Sequence, residues 1–252
     1  MDLVEIIRGR LHMLRFPIGQ AYLWRDGEAL TLIDAGHAGS ADAIEGAIRS
    51  LGLLPERLER VVVTHCHGDH FGSAGELSAR WGAPVLAHTL DAPVIRGDRP
   101  VPDPVLLDWE LPLWEHAMTA PQAPATPVEQ ELTDGEVLPF GGGAVVVHAP
   151  GHTPGSIGIH LPAHDVLFTG DCVAGVGQVM LGVFNVDRTR AVESMLRLAA
   201  LAPSVACFGH GDPLTSDTAA TLLAAAETAA KAEAGSEAGA TAAAQAPPTP
   251  TG

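Results

Sequence analysis

Short apolar runs bounded by turn residues, followed by a stretch of helical spacing, occur twice along this chain. The first series comprises Leu11 to Phe16, Ala21 to Trp24 and Ala29 to Ile33, all reading as strands, with Arg25-Asp26-Gly27-Glu28 as a hairpin turn. Ile44, Ala47, Ile48 and Leu51 then recur at helical spacing, with Ser40 suited to the N-cap and Gly52 closing the helix. Arg60 to Thr64 reads as a buried strand. Ser73-Ala74-Gly75-Glu76 fits a capping box, opening a short helix with Leu77 and Trp81 on one face, and Pro84 to Ala87 is the next strand.

Residues 91–130 break the pattern. Pro93, Pro100, Pro102, Pro104, Pro112, Pro121, Pro124 and Pro127 predict an irregular insertion with one or two helical turns around Leu106–Met118. Such an insertion suits a substrate cover and a plain surface excursion equally, and Trp109, Trp114 and His116 are its most informative side chains. The two tryptophans fit packing of the loop onto the body. Strand texture resumes at Val137-Leu138, Ala144 to Val147, Ser156 to Leu161 and Asp165 to Phe168. Asp187 can cap a helix to Leu201, Ser204 to Phe208 is a last strand, and Thr215 to about Ala230 a last helix. From Lys231 to Gly252 the composition is low in complexity, and a disordered tail is expected. Strands followed by helices, twice over, imply two layered halves.

Composition narrows the possible partners. Of 252 residues, 30 are Asp or Glu against 14 Lys or Arg, a formal net charge of -16, which repels phosphate backbones and argues against nucleic acid. The start, Met1-Asp2-Leu3-Val4-Glu5, reads as no signal peptide, and no apolar segment approaches the roughly 20 residues of a membrane span. Cys66, Cys172 and Cys207 are odd in number and widely spaced, which suits small buried hydrophobes in a reducing, cytoplasmic setting.

The chemistry concentrates in Thr64-His65-Cys66-His67-Gly68-Asp69-His70, directly after the apolar Val61-Val62-Val63. Histidine makes up 12 of 252 residues, so three of them with an aspartate in six positions point to a metal site rather than a solvated loop. Neutral imidazole and carboxylate suit zinc, and also iron or manganese. Three later strands end the same way, at His152, Asp171 and His210. Together they complete two sets: His65, His67 and His152 for one divalent ion, and Asp69, His70 and His210 for another, with Asp171 bridging. Two cations roughly 3.5–4 Å apart can share a hydroxide and polarise a carbonyl, while Asp69 or Asp171 passes a proton to the leaving group. Asp34, ending the Ala29–Ile33 strand, suits a turn former or an aspartate that orients a ligand. His12, His88, His160 and His164 have no partner spacing; His37 and His148 sit closer to the motifs.

In that order, H-x-H-x-D-H, P-G-H-T-P-G-S, F-T-G-D and G-H-G-D resemble the metallo-β-lactamase superfamily of hydrolases, and the cytoplasmic group related to glyoxalase II and lactonases in particular. The resemblance covers about Gly19 to Asp212. It implies an α+β fold, a four-layered αβ/βα sandwich over residues 1–230, with the site where the sheets meet. It also implies a ligand-orienting role for Asp34. The expected activity is dinuclear hydrolysis of a small-molecule ester, thioester or lactone. The alternative is a non-hydrolytic, iron-dependent oxidoreductase similar to persulfide dioxygenases. The short stretch after Asp212 disfavours glutathione thioesters, and Cys172, Val173 and Ala174 stand where acyl-homoserine lactonases place a tyrosine. Oligomeric state is left open.

Overall fold

The computed structural model describes residues 1–244. The first seven strands, β1 (Asp2–Ile7), β2 (Leu11–Arg15), β3 (Gln20–Asp26), β4 (Ala29–Ile33), β5 (Leu58–Val62), β6 (Val85–His88) and β7 (Gln130–Leu132), form one sheet in sequence order. β1 to β4 pair antiparallel and β4 to β7 parallel. The second sheet takes β8 (Val137–Leu138), β9 (Ala144–His148), β10 (Ile157–Leu161), β11 (Val166–Phe168) and a later strand numbered β14 (Val205–Cys207) in the order β14-β11-β10-β9-β8. The short hairpin β12 (Val173–Ala174) and β13 (Met180–Leu181) stands apart.

Among the described residues seven helices accompany the sheets: α1 (Ala41–Ser50), α2 (Gly68–Phe71), α3 (Ala74–Trp81), α4 (Ala92–Ile95), α5 (Leu111–Ala117), α6 (Arg188–Ala199) and α7 (Thr218–Ala244).

The period-two geometry of strands sorts the apolar side chains into three cores. Leu14, Leu23, Leu32, Val61 and Val85 turn outward from the first sheet and pack with Ile44, Ile48 and Leu77 of α1 and α3. Their neighbours Met13, Tyr22, Trp24, Ile33, Val62 and Leu86 face Val146, Ile157, Ile159 and Phe168 between the sheets. Val147, Leu167, Ala206 and Phe208 pack outward against Met195 and Leu198 of α6 and Leu222 and Ala226 of α7. The result is α+β with four layers, αβ/βα, as the resemblance implied. Because both faces of the central strands are covered, they read as continuous apolar runs.

Several local expectations need correction. Ser40 and Ser73 precede α1 and α3 but neither caps its helix through its side chain. Ser73 Oγ instead accepts the Ser40 N–H at 2.8 Å and donates to the His37 carbonyl at 2.7 Å, joining the two helix starts. Glu76 pairs with Arg80 one turn along, so no capping box forms. Asp187 does cap α6, accepting the Arg190 N–H at 3.0 Å. β1 is a further strand: its alternation is diluted by Asp2 and Glu5 at the sheet edge.

The expected tail from Lys231 is helical to Ala244, as a continuation of α7, because alanine is the best helix former and Glu233 pairs with Arg188 of α6 at 3.0 Å. Positions 245–252, the rest of that tail, lie outside the described residues. Among the described residues no helix is long and apolar enough to cross a membrane.

Candidate metal centre

Every sequence-predicted ligand arrives at one end of the two sheets. His65 and His67 lie in the loop after β5, and Asp69 and His70 lie on α2. His152 occupies the turn between β9 and β10, Asp171 a 3-10 turn after β11, and His210 the loop after β14. His65 Nε2 is 3.2 Å from His67 Nδ1, which is 2.9 Å from His152 Nε2. His210 Nε2 is 3.2 Å from Asp69 Oδ2, also 3.2 Å from Asp171 Oδ2, and 3.4 Å from His70 Nε2. Asp171 reaches both trios, 3.7 Å from His152 and 3.3 Å from His70. His65, His67 and His152 form one group able to hold an ion, and Asp69, His70 and His210 another.

Hydrogen bonds on the far side of each ring fix which nitrogen faces inward. Asp34 Oδ1 accepts the Thr64 N–H at 2.7 Å, and its Oδ2 accepts both the Thr64 hydroxyl and the His70 Nδ1–H at 2.8 Å. The Thr64 hydroxyl has spent its proton on Asp34, so it can only accept from His65 Nδ1, 3.0 Å away. His152 Nδ1 donates to the Val183 carbonyl at 2.9 Å. When its ring is neutral, each of His65, His70 and His152 therefore aims an Nε2 lone pair into the same space. Asp171 Oδ1 is buried there without a hydrogen-bond partner. Converging lone pairs and an unpartnered carboxylate oxygen suit divalent cations, and nitrogen with oxygen donors suits zinc, iron or manganese alike. Asp34 itself has φ +59°, a left-handed conformation that aspartate tolerates better than most residues and that aims its carboxylate at both partners.

The electrostatics divide the centre. Burial pushes His65 well down, His67 down and His152 to about 3, so these rings stay neutral. For His210 burial is outweighed by Asp171 and Asp69, which raise it to about 10, and for His70 by Asp171, Asp69 and Asp34. Burial also opposes ionisation of Asp69 and Asp171, but the facing histidines hold both carboxyls below their usual range. Proton and cation compete for the same nitrogens.

Sequence reasoning missed two supports. Asp91, 1% exposed, accepts from the Cys66 N–H at 2.9 Å and the Thr153 hydroxyl at 2.6 Å through Oδ2, and from the Gly155 N–H at 2.7 Å through Oδ1. It thereby ties the loop of His65 and His67 to the loop of His152. Gln20 donates to the carbonyls of Phe208 and Gly211, and the Tyr22 hydroxyl to Phe208, holding the His210 loop from the first sheet. A lone aspartate before a proline-rich stretch, or polar residues in an apolar strand, carries no signal without the partner's position. Gly209 is needed for closeness: a Cβ there would stand 1.8 Å from Asp171 Oδ1.

The remaining histidines separate. His37 lines the cavity beside the centre, and His148 stacks on His88 with ring centroids 4.1 Å apart. The three cysteines are free and buried, and burial raises each thiol, Cys172 to about 12.

A His/Asp centre where two sheets meet, in an αβ/βα sandwich, defines a class of metal-binding folds. The chain belongs to the metallo-beta-lactamase superfamily, whose domain it matches over residues 14–210. It is 30% identical over 227 residues to the probable metallo-hydrolase YflN of Bacillus subtilis (strain 168), covering 81% of this chain and 85% of that protein. It is 31% identical to the hydroxyacylglutathione hydrolase of Fuscovulum blasticum, over 74% of this chain and 63% of that enzyme. Among solved structures, TTHA1623 in a di-iron-bound form is 28% identical with a TM-score of 0.61, over 80% of this chain and 92% of that one. The metallo-beta-lactamase MIM-1 from Novosphingobium pentaromativorans superposes with a TM-score of 0.72 at 21% identity, over 94% and 91%, a likeness of fold.

Proposed function

We propose that this protein is a dinuclear metal-dependent hydrolase of a small-molecule ester, thioester or lactone. The observation that carries the reading is the set of seven side chains, drawn from both sheets, whose lone pairs and carboxylate oxygens converge on one space, with His67, Asp69, Asp171 and His210 in the wall of one large cavity. His65, His67 and His152 would hold one cation and Asp69, His70 and His210 the other, with Asp171 between them. Two cations so held supply an acidified water and a polarised carbonyl. The chain's own part is to keep His65, His70 and His152 in the tautomer that offers Nε2, through Thr64, Asp34 and Val183. Asp69 lines the cavity, is ionised, and lies 3.2 Å from His210. It is placed to take a proton from the attacking water and return it to the leaving group. Relatives named metallo-hydrolase and hydroxyacylglutathione hydrolase support hydrolysis as the reaction class.

Metal analysis of purified protein, run beside an ester, thioester and lactone panel, tests the reading. Two zinc ions with turnover support it; loss of turnover on chelation and its return with metal complete the case. The di-iron-bound relative gives the second reading its one support. Iron, a visible absorption band and oxygen consumption without hydrolysis would replace the first reading by an iron-dependent oxidoreductase on the same fold. Cytoplasmic location and a small-molecule partner complete the proposal.

A further inference from the structure

Beside the centre lies a cavity of about 970 Å³, with His67, Asp69, Asp171 and His210 in its wall and more than half of its lining residues drawn from positions 91–130. Pockets of this size hold a drug-sized ligand. The wall supplied by the insertion is mostly apolar, and much of it is exposed. Trp109 and Leu113 are each 49% exposed and Met118 62%, although all three line the cavity. Apolar surface of this kind, clustered on one concave face and rimmed by polar residues, marks a binding site.

Charge narrows the occupant. Away from the His/Asp centre, the permanent charges in the lining are Arg99 and Asp103, one of each sign. A substrate carrying several carboxylates finds one guanidinium offset by one acid. An uncharged chain finds tryptophan, leucine and methionine. The insertion is also tied to the centre. Glu110, 1% exposed, accepts the Leu107 N–H at 2.8 Å and the Phe184 N–H at 3.3 Å, and Trp114 meets the Phe184 ring edge-on at 5.1 Å. The Val105 N–H donates to the Asn185 carbonyl at 2.9 Å. Val183, next to Phe184, is the residue whose carbonyl orients His152. The apolar wall and the ligand-bearing loop are thus anchored on one three-residue segment, 183–185.

We propose that this cavity seats an uncharged, apolar acyl group longer than acetyl, which makes the substrate a lipophilic ester or thioester rather than an anionic conjugate. The proposal rests on the hydrolytic reading and specifies its substrate class. Its test is the metal-loaded full chain with p-nitrophenyl acetate, butyrate, hexanoate and octanoate, and with the adipate half-ester as a carboxylate-tipped counterpart. The expected result is a kcat/KM rising about fourfold for each methylene buried, with the adipate half-ester below butyrate. Leu113→Asp should cut the octanoate-to-acetate ratio at least about tenfold. A flat or falling series, or preference for the carboxylate-tipped ester, overturns the proposal. If these esters and the thioester and lactone panel are all inert while the protein holds two cations, the hydrolytic reading fails instead. The apolar seat is then read from tryptophan emission during titration with acetamide and octanamide. A saturable change with octanamide alone keeps the seat, and no change with either removes it.

Discussion

The centre and the insertion over it are built on opposite terms. At the centre, His65, His70 and His152 are buried to within 1% and each has its outward nitrogen tied to an oxygen. In the middle of the insertion, α5 buries none of its residues, and the stretch 105–118 is joined to the body through points such as Glu110 and the Val105 N–H. Chemistry that must place several donor atoms around one point demands fixed rotamers, whereas recognition of an apolar chain demands area and tolerates movement. The contrast predicts that substitutions at the centre and its supports change metal content and turnover together, and that those around α5 change substrate choice.

The strongest way to break this contrast is Asp171→Ala or His152→Ala. Each should remove metal, measured by elemental analysis, and lower turnover further than loss of a supporting hydrogen bond does. Unchanged activity in a metal-free variant would sink the metal-dependent reading. Next come Asp34→Asn and Asp91→Asn, for which a fall of roughly 10–100-fold in metal affinity is expected. For Asp91 the conservative Asp91→Glu should recover little, since three donors converge on its two oxygens; full recovery would argue for charge alone.

A smaller effect tests the body behind the centre. His88 is 5% exposed, and burial, with His148 beside it, lowers it to about 4. The unfolded chain takes up this proton near 6.5, the folded one near 4, so the stability is present above 6.5 and is lost as pH falls through that window. The loss should level off at about 3 kcal/mol at most. Denaturant melts at pH 7 and pH 4 should show it, and His88→Gln should narrow the difference; an unaltered difference would clear His88 of responsibility. The smallest effect belongs to the insertion. Leu111, 46% exposed, should tolerate Leu111→Ser within about 0.5 kcal/mol, whereas Met195→Ala in the core should cost about 2–5 kcal/mol. Comparable losses would show that the insertion is part of the cooperative core.

What could be read from the sequence followed the same division. Central strands show as apolar runs because both faces are covered, and α6 shows its cap because Asp187 acts on a neighbour three residues away. The seven converging residues were legible because each follows a strand within a few positions and their residue types are few. Asp34 was ambiguous by itself, since its two partners, Thr64 and His70, lie 30 and 36 residues away. Asp91 was invisible for the same reason: Gly155 is 64 residues distant. Ser40 and Ser73 carried a capping pattern that a bond between their own helix starts displaced. The apolar wall of the cavity was hidden because a proline-rich stretch has no period to betray which side chains will face inward.

The seven residues divide by origin: His65, His67, Asp69 and His70 follow strands of the first sheet, and His152, Asp171 and His210 those of the second. A cation held between them is therefore a rivet through both leaves of the sandwich. Its grip reports their alignment. Trimming the large side chains that space the leaves, Trp24 or Phe168, should loosen the rivet before the protein melts, so that metal retention becomes a gauge of how the two halves of the chain lie against each other.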